Sequence, residues 1–373
     1  MKKNKKQGRR QGASLFAVLF DFCFLIEKGS PMAKVRIIVE DGACEPVSVG
    51  QVSRLDMGFT ELNPLQSRFV LEDLHRRDVN IVASWPTSAG KTVIAELTAE
   101  QVLAEGGKVI YACPLKALAE EKIRRFRRLF PDVPVEIFTG DYRDVEKRRE
   151  KARRAGIAVL TTELLDSVAR NSALSEILLS RSGLIVIDEA HIIATDRGPT
   201  VEAALMASSS INPRARLLLL SATLPNAEEL GAWIESLNGK ETCVLESSWR
   251  PVEIEWHLIA RNGGRRHRQI APEDVLKELL PKLVADGGVL LFVWTIAEGR
   301  YLEKSLSKAG YSCAFHNASL ALNERLALEE AFDRGEIRIL ISTTTLAWGR
   351  NLSARHVIIW GDRRGFRNHG EEY

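Results

Sequence analysis

Five short runs dominated by Val, Ile and Leu recur through the first two thirds of the chain, at 79–84, 108–112, 157–161, 184–187 and 217–220. Their hydrophobicity is continuous rather than alternating, which marks strands covered on both faces. The stretches between them, such as 92–104 and 116–129, space their apolar residues as helices do. Strands alternating with helices imply an α/β chain with a parallel sheet. Ligands of such a sheet sit beyond the carboxyl ends of its strands. A second, shorter series follows a break near 247–251, with runs at 289–293, 313–315, 337–341 and 357–360. The length of 373 residues allows two separate cores. The expected organisation is an extension over 1–31 outside the fold, a first lobe over 32–247 and a second over 248–373.

The extension is basic and then apolar, as a secretion signal would be. Asp21 interrupts the apolar run, no small-x-small cleavage site follows, and the run is too short to span a bilayer. The reading is therefore an upstream extension ahead of a start at Met32, on a cytoplasmic protein with no membrane partner. Lys2, Lys3, Lys5, Lys6, Arg9 and Arg10 carry more than the whole net charge of +3, so the remainder sums to −3. Global charge thus argues neither for nor against nucleic acid. Local basic clusters at 124–128, 147–154 and 265–268 read first as solvated helix or loop faces, and only second as phosphate contacts. The five cysteines are scattered, without metal-ligand spacing, and read as reduced thiols.

Two segments carry chemistry. The first is Pro86-Thr87-Ser88-Ala89-Gly90-Lys91-Thr92, between a strand and a helix. Backbone N–H groups of such a turn can cradle phosphate oxygens at a helix N-terminus. Lys91 would neutralise the β- and γ-phosphates of ATP, and Thr92 would hold Mg²⁺ through its hydroxyl. Trp85 stands where the strict phosphate-loop pattern has its first glycine. The second segment is Asp188-Glu189-Ala190-His191, after the run at 184–187. Asp188 would bind the metal and Glu189 would activate the hydrolytic water. Two adjacent acids at a buried strand end repel each other, so the pair needs a cationic ligand to justify it.

With these segments in place, the chain resembles superfamily 2 helicases, most of all the superkiller-type group that includes archaeal fork- and junction-processing DNA helicases. The segment 59–66 (FTELNPLQ) is similar to that group's adenine-reading motif, with Gln66 at the base edge. The stretch 114–119, with Pro114 and Lys116, resembles a strand-binding motif, as do Thr139-Gly140-Asp141 and Thr161-Thr162-Glu163. Asp188 to His191 matches motif II, with Lys91, Asp188, Glu189 and His191 as the implied catalytic set. Arg197-Gly198-Pro199-Thr200-Val201-Glu202 follows as a subgroup signature. Ser221-Ala222-Thr223 matches the segment that couples hydrolysis to strand movement. In the second half, 315–320 resembles the group's F-H-H-A-G-L. The stretch 343–354 resembles motif V, with Thr343 and Thr345 toward nucleic acid and Gly349 toward ATP.

The resemblance implies two RecA-like parallel-sheet lobes and ATP with Mg²⁺ as cofactors. It implies a strand of single-stranded or forked DNA as partner, with 3′-to-5′ movement. The core motifs address backbone phosphates, so RNA stays open beside DNA. A catalytically weak nucleic-acid-binding subunit is the alternative of a different class. Motif VI, a Q-x-x-G-R-x-G-R type run, is not recognisable. Only 363–367 (RRGFR) offers arginines, without the spacing. The second lobe is therefore expected to be incomplete, with a second polypeptide supplying motif VI and the C-terminal domains. On that expectation the chain alone binds ATP and hydrolyses it poorly.

Overall fold

The computed structural model describes residues 13–15, 36–40, 44–138, 145–222, 224–257, 272–343, 346 and 352–360. Its strands are β1 (Ala13–Leu15), β2 (Arg36–Glu40), β3 (Asn80–Ser84), β4 (Lys108–Cys113), β5 (Val135–Ile137), β6 (Ile157–Thr161) and β7 (Ser182–Ile187). They continue with β8 (Arg216–Ser221), β9 (Thr242–Ser247), β10 (Ile254–Trp256), β11 (Val289–Phe292), β12 (Cys313–His316), β13 (Ile339–Ser342) and β14 (His356–Ile359). The chain divides into two units, Glu27–Pro251 and a second made of Met1–Ile26 with Val252–Tyr373. The division falls four residues beyond the expected break at 247/248.

In the first unit an all-parallel sheet runs β2-β9-β3-β8-β7-β4-β6-β5. Every residue of β3 and β8 is buried, as continuous apolar runs require in a sheet covered on both faces. Side chains alternate between two core layers. Ile81, Tyr111 and Val186 pack with Phe69, Ile94, Leu97 and Phe126 on one face. Val82, Ile110 and Ile187 pack with Leu165, Val168, Leu205 and Ile234 on the other. Each fully buried aliphatic contributes about 1.5–3 kcal/mol of transfer free energy, so this double layer holds the strand ends rigidly. All strands point the same way, so the loops after β3, β4, β6, β7 and β8 emerge at one edge.

A buried arginine ties the opposite edge. Arg216 begins β8 and donates to the carbonyls of Leu74, His75 and Val79 at 2.7, 3.0 and 3.1 Å. Burial lowers its pKa to about 10, and three backbone acceptors offset that cost.

The second unit is also a parallel sheet, which includes the order β14-β11-β13-β12 with β12 at one edge. Its core is built from Leu280, Leu291, Leu302, Phe315, Ile339 and Ile341. A Cβ on Gly299 would lie 2.2 Å from the Phe315 ring, so only glycine allows the helix Ile296–Lys308 this close to β12. Beyond β14 lie β1 and then β10. The sequence alone places the extension over 1–31 outside the fold. In the structure Ser14 and Leu15 pair with His356 and Val357, and Ala13–Leu15 pair with Ile254–Trp256. An unpaired edge of β14 offers a row of N–H and C=O groups, and three extended residues suffice to occupy part of it. Among the described residues no helix is long and apolar enough to cross a membrane.

Candidate nucleotide site and strand-facing edge

β3 delivers the loop 86–90 at the carboxyl edge of the first sheet, and the helix Lys91–Ala104 begins at its end. Gly90 caps that helix with φ +80°, a left-handed conformation that glycine adopts at little cost. Ser88 is also left-handed, at φ +67°. A side chain on Gly90 has no room, because its Cβ would lie 2.1 Å from Gln66 Nε2. The loop is held from beneath by the helix Pro64–Leu71. Asn63 and Gln66 form a reciprocal capping box at that helix's start. The Asn63 amide also donates to the Ala89 carbonyl at 2.9 Å and the Gln66 amide to the Gly90 carbonyl at 3.1 Å. Gln66 is buried, and both ends of its amide are engaged within the protein.

Lys91 folds back onto the loop. Its ammonium donates to the carbonyls of Trp85 and Pro86 at 2.9 and 3.1 Å. Burial depresses its pKa, while Glu189 and Asp188 pull the other way. Thr87 and Ser88 are exposed, and Ala89 is buried beneath them.

β7 delivers Asp188. The strand is prolonged by a bond from Asp188 N to the Ala112 carbonyl at 2.8 Å. Asp188 Oδ2 accepts from the Tyr111 hydroxyl at 2.7 Å, and Oδ1 accepts from the Glu189 N–H at 3.1 Å. Glu189 takes φ +54°, a strained setting for a residue with a side chain, and starts the short 3₁₀ turn Ala190–Ala194. Burial first, and then the Asp188 carboxylate, raise the Glu189 pKa. His191 Nδ1 lies 3.3 Å from Glu189 Oε2, and burial holds its imidazole toward the neutral form.

A residue to which no sequence motif points joins the two segments. Lys122, on the helix Lys116–Leu129, donates to Thr92 Oγ1 at 2.9 Å and lies 3.3 Å from Asp188 Oδ2. Its nitrogen stands 5.7 Å from the centre of the Tyr111 ring. Burial works most strongly against its charge, but the Asp188 carboxylate together with Cys113, Glu121 and the hydrogen bond to Asp188 outweighs it, and the pKa rises. The expected metal ligands, Thr92 and Asp188, therefore already converge on one cationic centre. A hydroxyl and a carboxylate oxygen are the hard donors that Mg²⁺ takes, so the residues fit that ion.

The expected coupling segment sits beside the start of the loop 86–90. Ser221 ends β8 beside Ser84 of β3, and its carbonyl accepts from Trp85 N at 3.2 Å. Ser84 Oγ accepts from Leu224 N at 2.8 Å and donates to the Ala222 carbonyl at 3.5 Å. Thr223 lies outside the described residues.

The strand-binding candidates share the same edge. β4 and β6 are neighbours, with Cys113 opposite Thr161, so Pro114 and the first turn of the helix Thr162–Ala169 lie at adjacent strand ends. Arg197 clamps them, donating to the Pro114 carbonyl at 2.6 Å and from Nε to Glu163 Oε1 at 2.9 Å. The pKa of Glu163 is raised by burial and lowered more by Arg197 and further hydrogen bonds, for a net fall. Lys116 is exposed and Thr161 half-buried, whereas Thr162 is buried. Thr139, Gly140, Thr345 and Gly349 lie outside the described residues, as does the run 363–367. Thr343 is half-buried after β13, in the other unit.

The basic clusters have partly internal uses. Arg125 forms an ion pair with the fully buried Glu96, and Arg127 donates to the Val135 carbonyl. Arg154 pairs with Glu136 and Arg153 with Glu146.

Comparison with known proteins gives the family. The DEAD/DEAH box helicase profile matches residues 63–230, and the helicase conserved C-terminal domain profile matches 272–366. The chain belongs to the superfamily 2 helicases. It is 33% identical to the ATP-dependent DNA helicase Hel308 of Methanocella arvoryzae, over 84% of this chain and 47% of that protein. It is 29% identical to the ATP-dependent DNA helicase MER3 of Saccharomyces cerevisiae, over 84% of this chain and 29% of that one. The Mycobacterium smegmatis helicase Lhr, solved with single-stranded DNA and AMP-PNP, superposes with TM-score 0.64 at 22% identity, over 83% of this chain and 44% of that one. The chain thus spans about half the length of the Hel308 relatives it matches. Its first and second units are RecA-like lobes of the expected kind.

Proposed function

We propose that this chain carries the ATP-hydrolysing and strand-binding core of an ATP-driven DNA helicase. The observation that supports this most is the convergence of Thr92 and Asp188 on one cationic centre beside the loop holding Lys91. On this reading the loop N–H groups and Lys91 bind the triphosphate, and Lys91 exchanges the Trp85 and Pro86 carbonyls for phosphate oxygens. Thr92 and Asp188 hold Mg²⁺, which screens phosphate charge when bound. Glu189, its carboxylate raised in basicity by burial and by Asp188, accepts the proton of the attacking water. His191 orients Glu189. Ser84 and Trp85 link the loop to Ser221 and Ala222, so a change at the phosphates is felt in the coupling segment. Thr161, Pro114 and Lys116 face the strand, with Arg197 fixing their spacing.

DNA is favoured over RNA because the Hel308 and MER3 relatives are DNA helicases by name. The deciding experiment is steady-state ATP hydrolysis by the full chain, with and without single-stranded DNA or the matched RNA. Glu189→Gln is expected to keep ATP binding and lower turnover at least 100-fold, of the order that a positioned general base contributes (~10²–10⁴). Turnover unchanged in Glu189→Gln, or stimulation by RNA alone, would overturn the respective half of the reading.

A further inference from the structure

Lys122 occupies a place that the hydrolytic scheme does not use. Its ammonium sits between the hydroxyl of Thr92 and the carboxylate of Asp188. The position is rigidly supplied. Tyr111 is fully buried, meets Phe126 edge-on at 5.2 Å, and directs its hydroxyl to the same Asp188 oxygen that faces Lys122. Phe126 lies one turn after Lys122 on the same helix, so its packing fixes which way Lys122 points.

A dication and an ammonium cannot share two oxygens at hydrogen-bond range, because like charges at that separation repel strongly in a partly buried site. Yet without any cation, Asp188 would be a buried carboxylate with only neutral donors. We propose that Lys122 is a resident counter-cation. It holds Thr92 and Asp188 together in the metal-free protein and yields the position when Mg²⁺ arrives with nucleotide, and so it sets the Mg²⁺ concentration that nucleotide binding requires. The inference rests on the reading of Thr92 and Asp188 as metal ligands. The flexible four-carbon stem of lysine lets the ammonium withdraw without backbone movement. Lys122 is therefore a positioning residue and does not touch the reacting atoms.

The test is a titration of the full chain with a fluorescent ATP analogue at fixed nucleotide and varied Mg²⁺, with no turnover needed for the readout. Lys122→Met is expected to lower the half-saturating Mg²⁺ by about tenfold, equivalent to ~1.4 kcal/mol. Lys122→Arg keeps the charge and is expected to stay near wild type. A second readout is Mn²⁺ binding without nucleotide, followed by electron paramagnetic resonance: Lys122→Met binds one ion more tightly than wild type does. If Lys122→Met fails to give a cooperative melt, Lys122→Gln retains hydrogen bonding to both oxygens and replaces it. A half-saturating Mg²⁺ that is unchanged or higher in the uncharged variants overturns the counter-cation role. Asp188→Ala separates the two levels of argument. If it leaves the Mg²⁺ requirement of the chain unaltered, the metal-ligand reading itself fails; if it abolishes that requirement while the Lys122 variants match wild type, only the present inference fails.

Discussion

Replacing Gly90 by alanine tests the architecture of the phosphate loop at its tightest point. Two separate costs meet there. The residue holds φ +80°, and a Cβ would lie 2.1 Å from Gln66 Nε2 and 3.3 Å from Asn63 Nδ2. The left-handed conformation costs alanine about 1–2 kcal/mol. Relief of the clash requires the Gln66 amide to move, which breaks its bond to the Gly90 carbonyl and threatens the one it accepts from Asn63 N. Each such bond is worth about 0.5–1.5 kcal/mol net. Alanine also stiffens the unfolded chain, which returns about 0.4–1 kcal/mol. The net destabilisation is then about 2–3 kcal/mol, or a melting temperature lower by roughly 4–12 °C for a domain of this size. Gly106 makes the matched control, with φ +81° but nothing within 4 Å of its Cβ. Gly106→Ala carries the backbone cost alone and should shift melting by under about 4 °C. Nucleotide titration gives the functional half: Gly90→Ala should weaken ATP binding more than tenfold, because the loop N–H groups no longer converge, and Gly106→Ala should not. Equal melting temperatures and equal ATP affinities in the two variants would refute the claim that Gln66 buttresses the loop.

Other variants probe the surroundings. Arg197→Ala should weaken binding of single-stranded DNA several-fold, since it unties the Pro114 segment from the helix turn holding Glu163, while ATP affinity is unchanged; fluorescence anisotropy reads both, and equal losses would deny it a strand-side role. Arg125→Ala leaves the fully buried Glu96 without its partner and should cost about 3–5 kcal/mol in urea unfolding, against within about 0.5 for exposed Arg124→Ala. His75 is buried, its ring nitrogens have no hydrogen-bond partner among the described residues, and burial, Arg76 and Arg216 depress its pKa below 6.5 against Asp73 and Glu100. Between the depressed value and 6.5 the unfolded chain binds more protons, so stability is full above that window and falls as pH drops through it; His75→Leu should flatten this part of the stability–pH curve, and an unchanged slope would exclude His75 as its source.

Much of the first lobe was legible from its apolar runs, because a strand buried on both faces needs no partner in the sequence to declare it. Ile157–Thr161 matches β6 residue for residue, and the other four runs match to within two residues at either end. The edge strand β5 and the strand β9, one in from the other edge, carry no such signal. Val135–Ile137 is three residues with a Glu at its centre, and Thr242–Ser247 mixes polar with apolar. Their strand character comes from neighbours, not from their own composition. The strand β1 is silent for the same reason, since only a free edge in the second sheet gives Ala13–Leu15 a partner. The loop and the acidic pair were legible as motifs, but their geometry was not. Ser88 and Glu189 take left-handed conformations without being glycine, and no pattern of residue types announces that. Lys122 was hidden differently. On the helix Lys116–Leu129 it stands among Lys116, Arg124, Arg125, Arg127 and Arg128, and nothing local separates a buried lysine from a solvated one.

Lys122 and Lys91 together give the ligand-free site its balance. The first edge of the site presents the carboxylates of Asp188 and Glu189, side by side and partly desolvated. Left alone they would repel each other and the phosphates of an incoming nucleotide. Lys122 answers Asp188 directly, and Lys91, held by two loop carbonyls, lowers the energy of Glu189 from a longer range. Both ammonium groups are already desolvated and already placed, so on the proposed reading nucleotide binding would exchange partners without drawing fresh charge out of water. In the exchange proposed above Lys91 would give up two loop carbonyls and Lys122 would give up Thr92 and Asp188, and these partners connect to Trp85 and Tyr111 respectively. Trp85 touches the coupling segment through Ser221, and Tyr111 lies on β4, the strand that leads to Pro114 and Lys116. On the proposed reading the two lysines thus stand at the heads of two physical routes from the phosphates, one to the expected coupling segment at Ser221 and one to the expected strand-binding segment at Pro114 and Lys116.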